Sequence, residues 1–543
     1  MGSGPRWLLM VAIILLGIGE WAWGIWSGMT RLHQVSVELA KQPAPDPLKE
    51  VGKHLFTRAE TYAFLARAKQ AEAIRDPLQR CLAYPDPPGS HWSHDAVDAY
   101  CRYRYQPVLP FADIERLIRS GHAAEVDRRL AEALQAQMTQ PDAHGRLDRT
   151  FYEDFENGSF DIRPTLDAWK RDSPNSAFAY AASGYAYVQM AADARGGQYI
   201  ADTPQSNIDA MDKLLAQADS DLRRAIELDP RITPAYRAMV HAGGLSLGRA
   251  YGLDAARRGL AVAPDNFGIY SMRMWLEQPK WGGSLEAMQR LAGQSRIHAR
   301  HNPLLVMLQS KEPFYKVDNC ACDKQTELAA YPAAFDQLAS SNDLLSAGNA
   351  AVDTKYPQVS AIYLSEALRF DQALDRARVQ RVYDLLEFDE AAWAVDEASR
   401  LLAASPHDQE ALNARAQAYE AVEDYPHAEQ DFRTLISLDP GDMQSLARLG
   451  SLYVNSSHDW DKGWKVADQL IKAQPENPYG WMLRATIQQK QPRAGMNDTV
   501  DYLEAHFGNN PELAKMITRM RAAAVMQTHS GNQVLAAKGQ PQG

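Results

Sequence analysis

Prolines recur in this chain at the interval of one supersecondary unit, and that recurrence restricts the fold more than any other feature. Pro230 and Pro264 are 34 residues apart, as are Pro406 and Pro440, and Pro475 follows 35 later. Three of them close apolar helical stretches: Ala225-Ile-Glu-Leu-Asp-Pro230, Leu435-Ile-Ser-Leu-Asp-Pro440 and Leu470-Ile-Lys-Ala-Gln-Pro475. Proline lacks the N–H that a helix interior needs, so each marks a place where a helix stops. A fixed period of this length is the mark of stacked helical hairpins, each burying its apolar face against its neighbours. β-branched runs of period two are scarce. The expected fold class is therefore all-α, an α-solenoid of helical hairpins. Such arrays bind partners through their surfaces, so no enzyme activity is expected.

Charge narrows the partners. The chain of 543 residues carries a formal net charge of −11, with a pI near 5.7. An acidic chain without basic clusters is a poor match to a phosphate backbone, so no nucleic acid is expected.

The N-terminus carries a different signal. Trp7 to Gly19 is an unbroken apolar run, followed by Glu20 and by Trp21, Trp23, Ile25 and Trp26. Trp7 to Met29 is long enough to cross a bilayer, which takes about 20 residues, and the late tryptophans suit the membrane–water interface. Residues 1–29 are thus expected to form a single transmembrane anchor. A cleaved secretory signal is the rival, with Ala22-Trp-Gly24 offering small residues at a cleavage site. Basic residues are nearly balanced on the two sides of the span, so orientation is weakly marked.

The four cysteines are Cys81, Cys101, Cys320 and Cys322. Cys81 and Cys101 bracket a stretch rich in proline and aromatics and are the candidate disulfide, which would place the body in an oxidising compartment such as a periplasm. Reduced thiols in a cytoplasmic body are the alternative. Cys81, His91, His94 and Cys101 could also converge on zinc, but their spacing fits no standard finger, and no metal or cofactor is expected. A bond between Cys320 and Cys322 would span a single residue, so longer pairing or two free thiols is the expectation. A bond across one residue would be of the labile, redox-active kind.

Along the chain, residues 30–110 read as a juxtamembrane spacer with a helix and a Cys/His-rich loop. Residues 111–303 form an N-terminal helical-repeat array, 304–354 irregular connecting helices, 355–525 a C-terminal array, and 526–543 a disordered tail. Leu412, Ala416 and Tyr419, then Ala428, Phe432, Leu438 and Pro440, and again Leu446, Gly450 and Tyr453, follow a large–small–aromatic pattern. Small residues sit where two helices cross closely. Tyr180, Gly184 and Tyr187 begin an earlier copy, with an inserted loop over about 194–207. Arg415 stands where the pattern wants leucine. On these residues the chain resembles the tetratricopeptide repeats over 405–475 and 176–264. A second resemblance covers roughly 110–300. Leu166-Asp-Ala-Trp169, Ala192-Asp-Ala-Arg-Gly-Gly197 and Pro279-Lys-Trp-Gly-Gly-Ser284 look like a bacterial family of unknown function, the DUF4034 type. That family is similar in carrying helical repeats behind a membrane or secretory segment, and it implies no reaction. In Trp281-Gly-Gly-Ser284, the glycines suit a tight turn and Ser284 a helix cap.

Two features invite a catalytic reading. Gly244-Leu-Ser-Leu-Gly248 spells a nucleophile elbow, but that motif works on a strand-to-helix turn, and the preceding residues read as a helix. His298 and His301, three apart on an expected helix, could share a ligand; separate surface histidines are the plainer reading.

What remains is the groove. The tetratricopeptide resemblance implies a concave surface lined by the first helix of each repeat, where exposed side chains meet a protein or peptide ligand. Carried onto the matching helices, those positions are Arg237 and His241, then Asn413, Gln417 and Glu420, then Gln444, Ser451 and Asn455. Amide side chains there suit an extended peptide backbone. The expectation is an interaction scaffold on a bacterial inner membrane, single-pass, with its body in the periplasm. The alternatives are a hydrolase or metal-dependent enzyme centred on Ser246 or residues 81–101, and an immunity-type protein that neutralises a secreted toxin.

Overall fold

The computed structural model describes residues 54–491 and 493–538, with side chains described as far as residue 526. The expected anchor over 1–29 lies outside these residues. Among the described residues every regular element is helical. No helix there is long and apolar enough to cross a membrane.

Each periodic proline stands two residues beyond a helix end. The helices concerned are Gln205–Leu228, Arg249–Val262, Ala391–Ala404, Tyr425–Leu438 and Trp460–Ala473. After Pro264, Pro406, Pro440 and Pro475 the next helix starts on a polar cap, whereas after Pro230 the cap position is Ile232. Asp408 accepts from Ala411 N at 2.8 Å, and Asp442 accepts from Gln444 N and Ser445 N. These bonds satisfy amides that a helix start leaves free.

The same interval is written again in the backbone. Among the described residues, the non-glycine residues with positive φ are Lys355, Asp389, Glu423 and His458, between 54° and 61°, and they lie 34, 34 and 35 residues apart. Each sits in the turn between the first and second helix of a hairpin, where a left-handed residue reverses the chain.

The hairpins pair as the close-crossing pattern requires. Ala177–Arg195 lies against Gln205–Leu228. A Cβ at Gly184 would stand 2.6 Å from Leu222 Cγ, so only glycine permits that approach. Arg415 makes two bonds to Asp431 of the following helix, at 2.8 and 2.7 Å, which explains its departure from leucine. In the second half, Ser341–Asp353 pairs with Pro357–Phe370 as a complete hairpin. The array therefore begins at Ser341, not at 355, and the expected irregular connector is shorter. At the other end, the helix Pro511–Lys538 continues into the tail that was expected to be disordered from 526.

The larger correction concerns residues 54–105. They pack into the body and are not a spacer. Phe56, Phe64, Trp92, Val97 and Tyr100 share one buried core with Leu304, Tyr331, Tyr363 and Phe370, while residues 114–276 build a second. The helix Arg58–Glu72, begun by a capping box of Thr57 and Glu60, lies along Pro357–Phe370. Backbone bonds fix this packing: His54 N donates to Ala329 O at 2.7 Å, and His91 N to Asp336 O at 2.8 Å. Trp92 Nε1 donates to Phe335 O at 2.8 Å. Covered on both sides, the helix Pro357–Phe370 buries every side chain from Val359 onward, Glu366 and Arg369 included. Arg369 carries Glu366 there, at 3.1 Å, and also bonds Cys81 O and Asp86.

Candidate functional site

Two concavities collect the groove residues. The first is a cleft of about 350 Å³ where the first array meets residues 100–104 and 307–343. Tyr103, Tyr152, Phe267 and Trp275 supply aromatic walls, and Arg237, Lys311 and Asn342 the polar ones. Arg237 is held in place rather than free. Its Nη1 bonds Glu156 Oε2 at 3.1 Å, and its guanidinium lies over the rings of Tyr152 and Tyr185. Lys311 Nζ bonds Asp343 at 2.5 Å and Ser340 at 3.1 Å. At the floor, Asp148 accepts from Thr233 and from Asn266, both at 2.5 Å. Burial raises the pKa of its carboxyl despite those bonds.

His241 is half-buried. Its ring stands edge-on to Trp275, with centroids 5.1 Å apart. Burial, with the charge of Arg237 adding to it, pulls its pKa down to about 3. The neutral imidazole packs on the indole and keeps part of its surface exposed.

The second concavity, about 320 Å³, lies on the C-terminal array. It brings together Glu420, Gln444 and Ser451 from two successive first helices, with Arg448 and with Tyr479 from the third. Glu420 is oriented by a bond from Ser456 Oγ. Asn455 Nδ2 donates to Ser451 Oγ at 2.9 Å, on the groove's edge. The remaining two positions are half-buried and bonded within the scaffold. Asn413 Nδ2 donates to Tyr383 Oη at 2.9 Å, and Gln417 Nε2 reaches Asn413 O at 3.4 Å. The pattern of first-helix positions missed Arg448 and Tyr479. It also missed the walls of the cleft that come from residues 100–104 and 307–343, because those segments carry no repeat signal.

The catalytic readings find no support in the geometry. Ser246 lies in a π-helical turn, Gly243–Leu247, that continues the helix Thr233–Ala242, and its Oγ donates to Asp212 at 2.6 Å. No strand precedes it. Cys81 and Cys101 are joined in a disulfide, with Cα atoms 5.8 Å apart, so neither offers a thiolate to zinc. His91 is taken by Asp336, at 2.5 Å. Among the described residues no group of three or more His, Cys, Asp or Glu is placed to hold a metal ion. His298 and His301 lie on a run of turns after Ser295, not on a helix. Trp281-Gly-Gly-Ser284 is a turn and a cap. Gly282 has φ 78°, and Ser284 Oγ accepts from Ala287 N at 3.1 Å. Cys320 and Cys322 are bonded to each other, against the expectation of longer pairing or free thiols.

No protein-family model matches the chain, so the DUF4034-type resemblance rests on the residues that suggested it. No curated protein matches it either. Among solved structures, the chain is similar to yeast Tom70, at 12% identity and a TM-score of 0.30, over 88% of this chain and 98% of that one. It is also similar to the TPR domain of P58(IPK), at 12% identity and a TM-score of 0.20, over 74% of this chain and 98% of that one. Neither likeness carries a function to this chain. Its tetratricopeptide-like character rests on its own hairpins, their period and their close crossings.

Proposed function

We propose that this protein is an interaction scaffold that holds an extended protein segment in the groove of its C-terminal array. We propose further that residues 1–29 tether it to a bacterial inner membrane with its body in the periplasm. One observation carries the first part. Glu420, Gln444 and Ser451, on two successive first helices, open onto one depression with Arg448 and Tyr479. Donors, acceptors and an aromatic face at that spacing suit a peptide main chain. The tether is supported by the apolar run from Trp7 and its flanking tryptophans. The oxidising compartment is supported by the buried Cys81–Cys101 bond.

The test is site-specific photocrosslinking in the native host, with a photoreactive residue at Gln444 or at Ser451, and at Gln430 on a second helix as control. A shared adduct from Gln444 and Ser451, absent from Gln430, is the expected result. Adducts of equal yield from all three positions, or none from the groove, would overturn the assignment.

A further inference from the structure

We propose that Cys320 and Cys322 form a thiol–disulfide exchange site that oxidises a partner dithiol, independently of what the groove holds. The two disulfides of this chain differ in the property that governs exchange, which is access for an attacking thiolate. Cys81 and Cys101 are 1% and 0% exposed, at the centre of the core shared by residues 54–105 and the second half. Cys320 and Cys322 are half-buried, on either side of an exposed Ala321. They close a loop of one residue between the helices Lys311–Asp318 and Lys324–Ala334. A cross-link across so short a loop constrains few residues in the unfolded chain, so it adds little stability for the fold to lose on reduction. Stacking of Phe314 on Phe335, with centroids 5.5 Å apart, holds the two helices together without it.

The helix ends make the two sulfurs unequal. Cys320 follows the C-terminus of one helix, its N donating back to Val317 O at 3.2 Å. Cys322 directly precedes the N-cap of the next. A thiolate is stabilised near a helix N-terminus and disfavoured near a C-terminus. The carboxylate of the adjacent Asp323 is directed into its cap, with one oxygen 3.0 Å from Thr326 N and the other 2.7 Å from Thr326 Oγ1. Cys322 is therefore the better leaving group. A thiolate of the partner attacks the Cys320 sulfur, the bond to Cys322 breaks, and Cys322 leaves as a thiolate and takes up a proton. The partner's second thiol gives up its proton and attacks its own sulfur in the mixed disulfide. The partner's disulfide closes, and Cys320 leaves and is protonated. Two electrons and two protons pass from the dithiol to the cysteine pair.

The experiment uses the oxidised full-length protein in native buffer and two probes. Dithiothreitol serves as the dithiol and reduced glutathione as a monothiol that cannot complete the second step. Rapid alkylation and peptide mass spectrometry then locate each sulfur. The expected result with dithiothreitol is alkylation of Cys320 and Cys322 at least about ten-fold faster than of Cys81 and Cys101. With glutathione, the adduct is expected on Cys320 and the alkyl group on Cys322. Equal reduction rates for the two disulfides would overturn the exchange site, and a glutathione adduct on Cys322 would overturn the assigned direction of attack.

Discussion

Arg381 and Glu72 stand 309 residues apart in sequence, yet Nη1 of one lies 3.2 Å from Oε1 of the other, with both side chains buried. Arg381 also bonds Glu397, which pairs in turn with Arg378, and Tyr84 Oη completes the cluster. Burial works against charge on Glu397, but Arg381 and Arg378 outweigh it and hold the carboxyl below its ordinary range. The cluster is the ionic join between the first described helix and the second array.

Glu397→Gln leaves two buried guanidiniums short of a counter-charge. Breaking a buried pair in this way costs about 3–5 kcal/mol. Urea unfolding should show that loss. Brief proteolysis of the variant should also release fragments ending near residue 105 ahead of global unfolding. An unchanged midpoint would mean the network is dispensable.

Glu423 adopts φ 61° in a turn where glycine is at ease. Left-handed backbone costs a non-glycine residue about 1 kcal/mol or more. Glu423→Gly should therefore raise stability by about 0.5 kcal/mol, after allowing for glycine's extra freedom in the unfolded chain. A fall in the denaturant midpoint would show that the turn carries no such strain.

Gly184 meets Leu222 where the first clear hairpin crosses. Gly184→Ala places a methyl 2.6 Å from Leu222 Cγ and 3.1 Å from Ala218 O. Overpacking of this kind costs about 1–3 kcal/mol. Leu222→Ala is itself destabilising at this buried site but should cost less in the Gly184→Ala background than alone, which thermal unfolding of the double variant would reveal as non-additivity.

Asp384 is buried beside Ser360, whose Oγ lies 2.6 Å from Oδ2. Burial pushes its pKa up from 3.8 to about 8. The folded state therefore keeps a proton that the unfolded chain has lost, and stability falls as pH rises from about 4 to about 8, by up to about 1.4 kcal/mol per pH unit. Asp384→Asn removes this term. Its unfolding free energy should match the wild type near pH 4 and exceed it at pH 8. His241 contributes with the opposite slope, costing stability as pH falls from 6.5 toward about 3.

The hairpins over 176–264 and 405–475 were legible because their signals are local: a proline after each helix, a cap before the next, a small residue at each crossing. The left-handed turns were not, since Lys355, Asp389, Glu423 and His458 give no compositional hint of positive φ. The packing of residues 54–105 escaped because its partners lie some 300 positions away. One clue was present. Val359, Ala361, Ile362, Leu364, Leu368 and Phe370 spread apolar side chains around the helix Pro357–Phe370, with few polar residues between them, and so largely apolar a helix needs cover on more than one side. For the groove, the tetratricopeptide resemblance named Glu420, Gln444 and Ser451, which line one concavity, but not Arg448 and Tyr479 beside them.

A repeat array ordinarily assembles from neighbour to neighbour, so a nascent chain can fold as it emerges. Here Trp92 waits for Phe335, and Glu72 for Arg381. The opening segment of the body must remain unpaired, its aromatic residues uncovered, until more than half of the chain has been synthesised. Formation of the complete protein is thus gated by a late, long-range closure, and chaperone dependence should concentrate in that interval rather than in the repeats themselves.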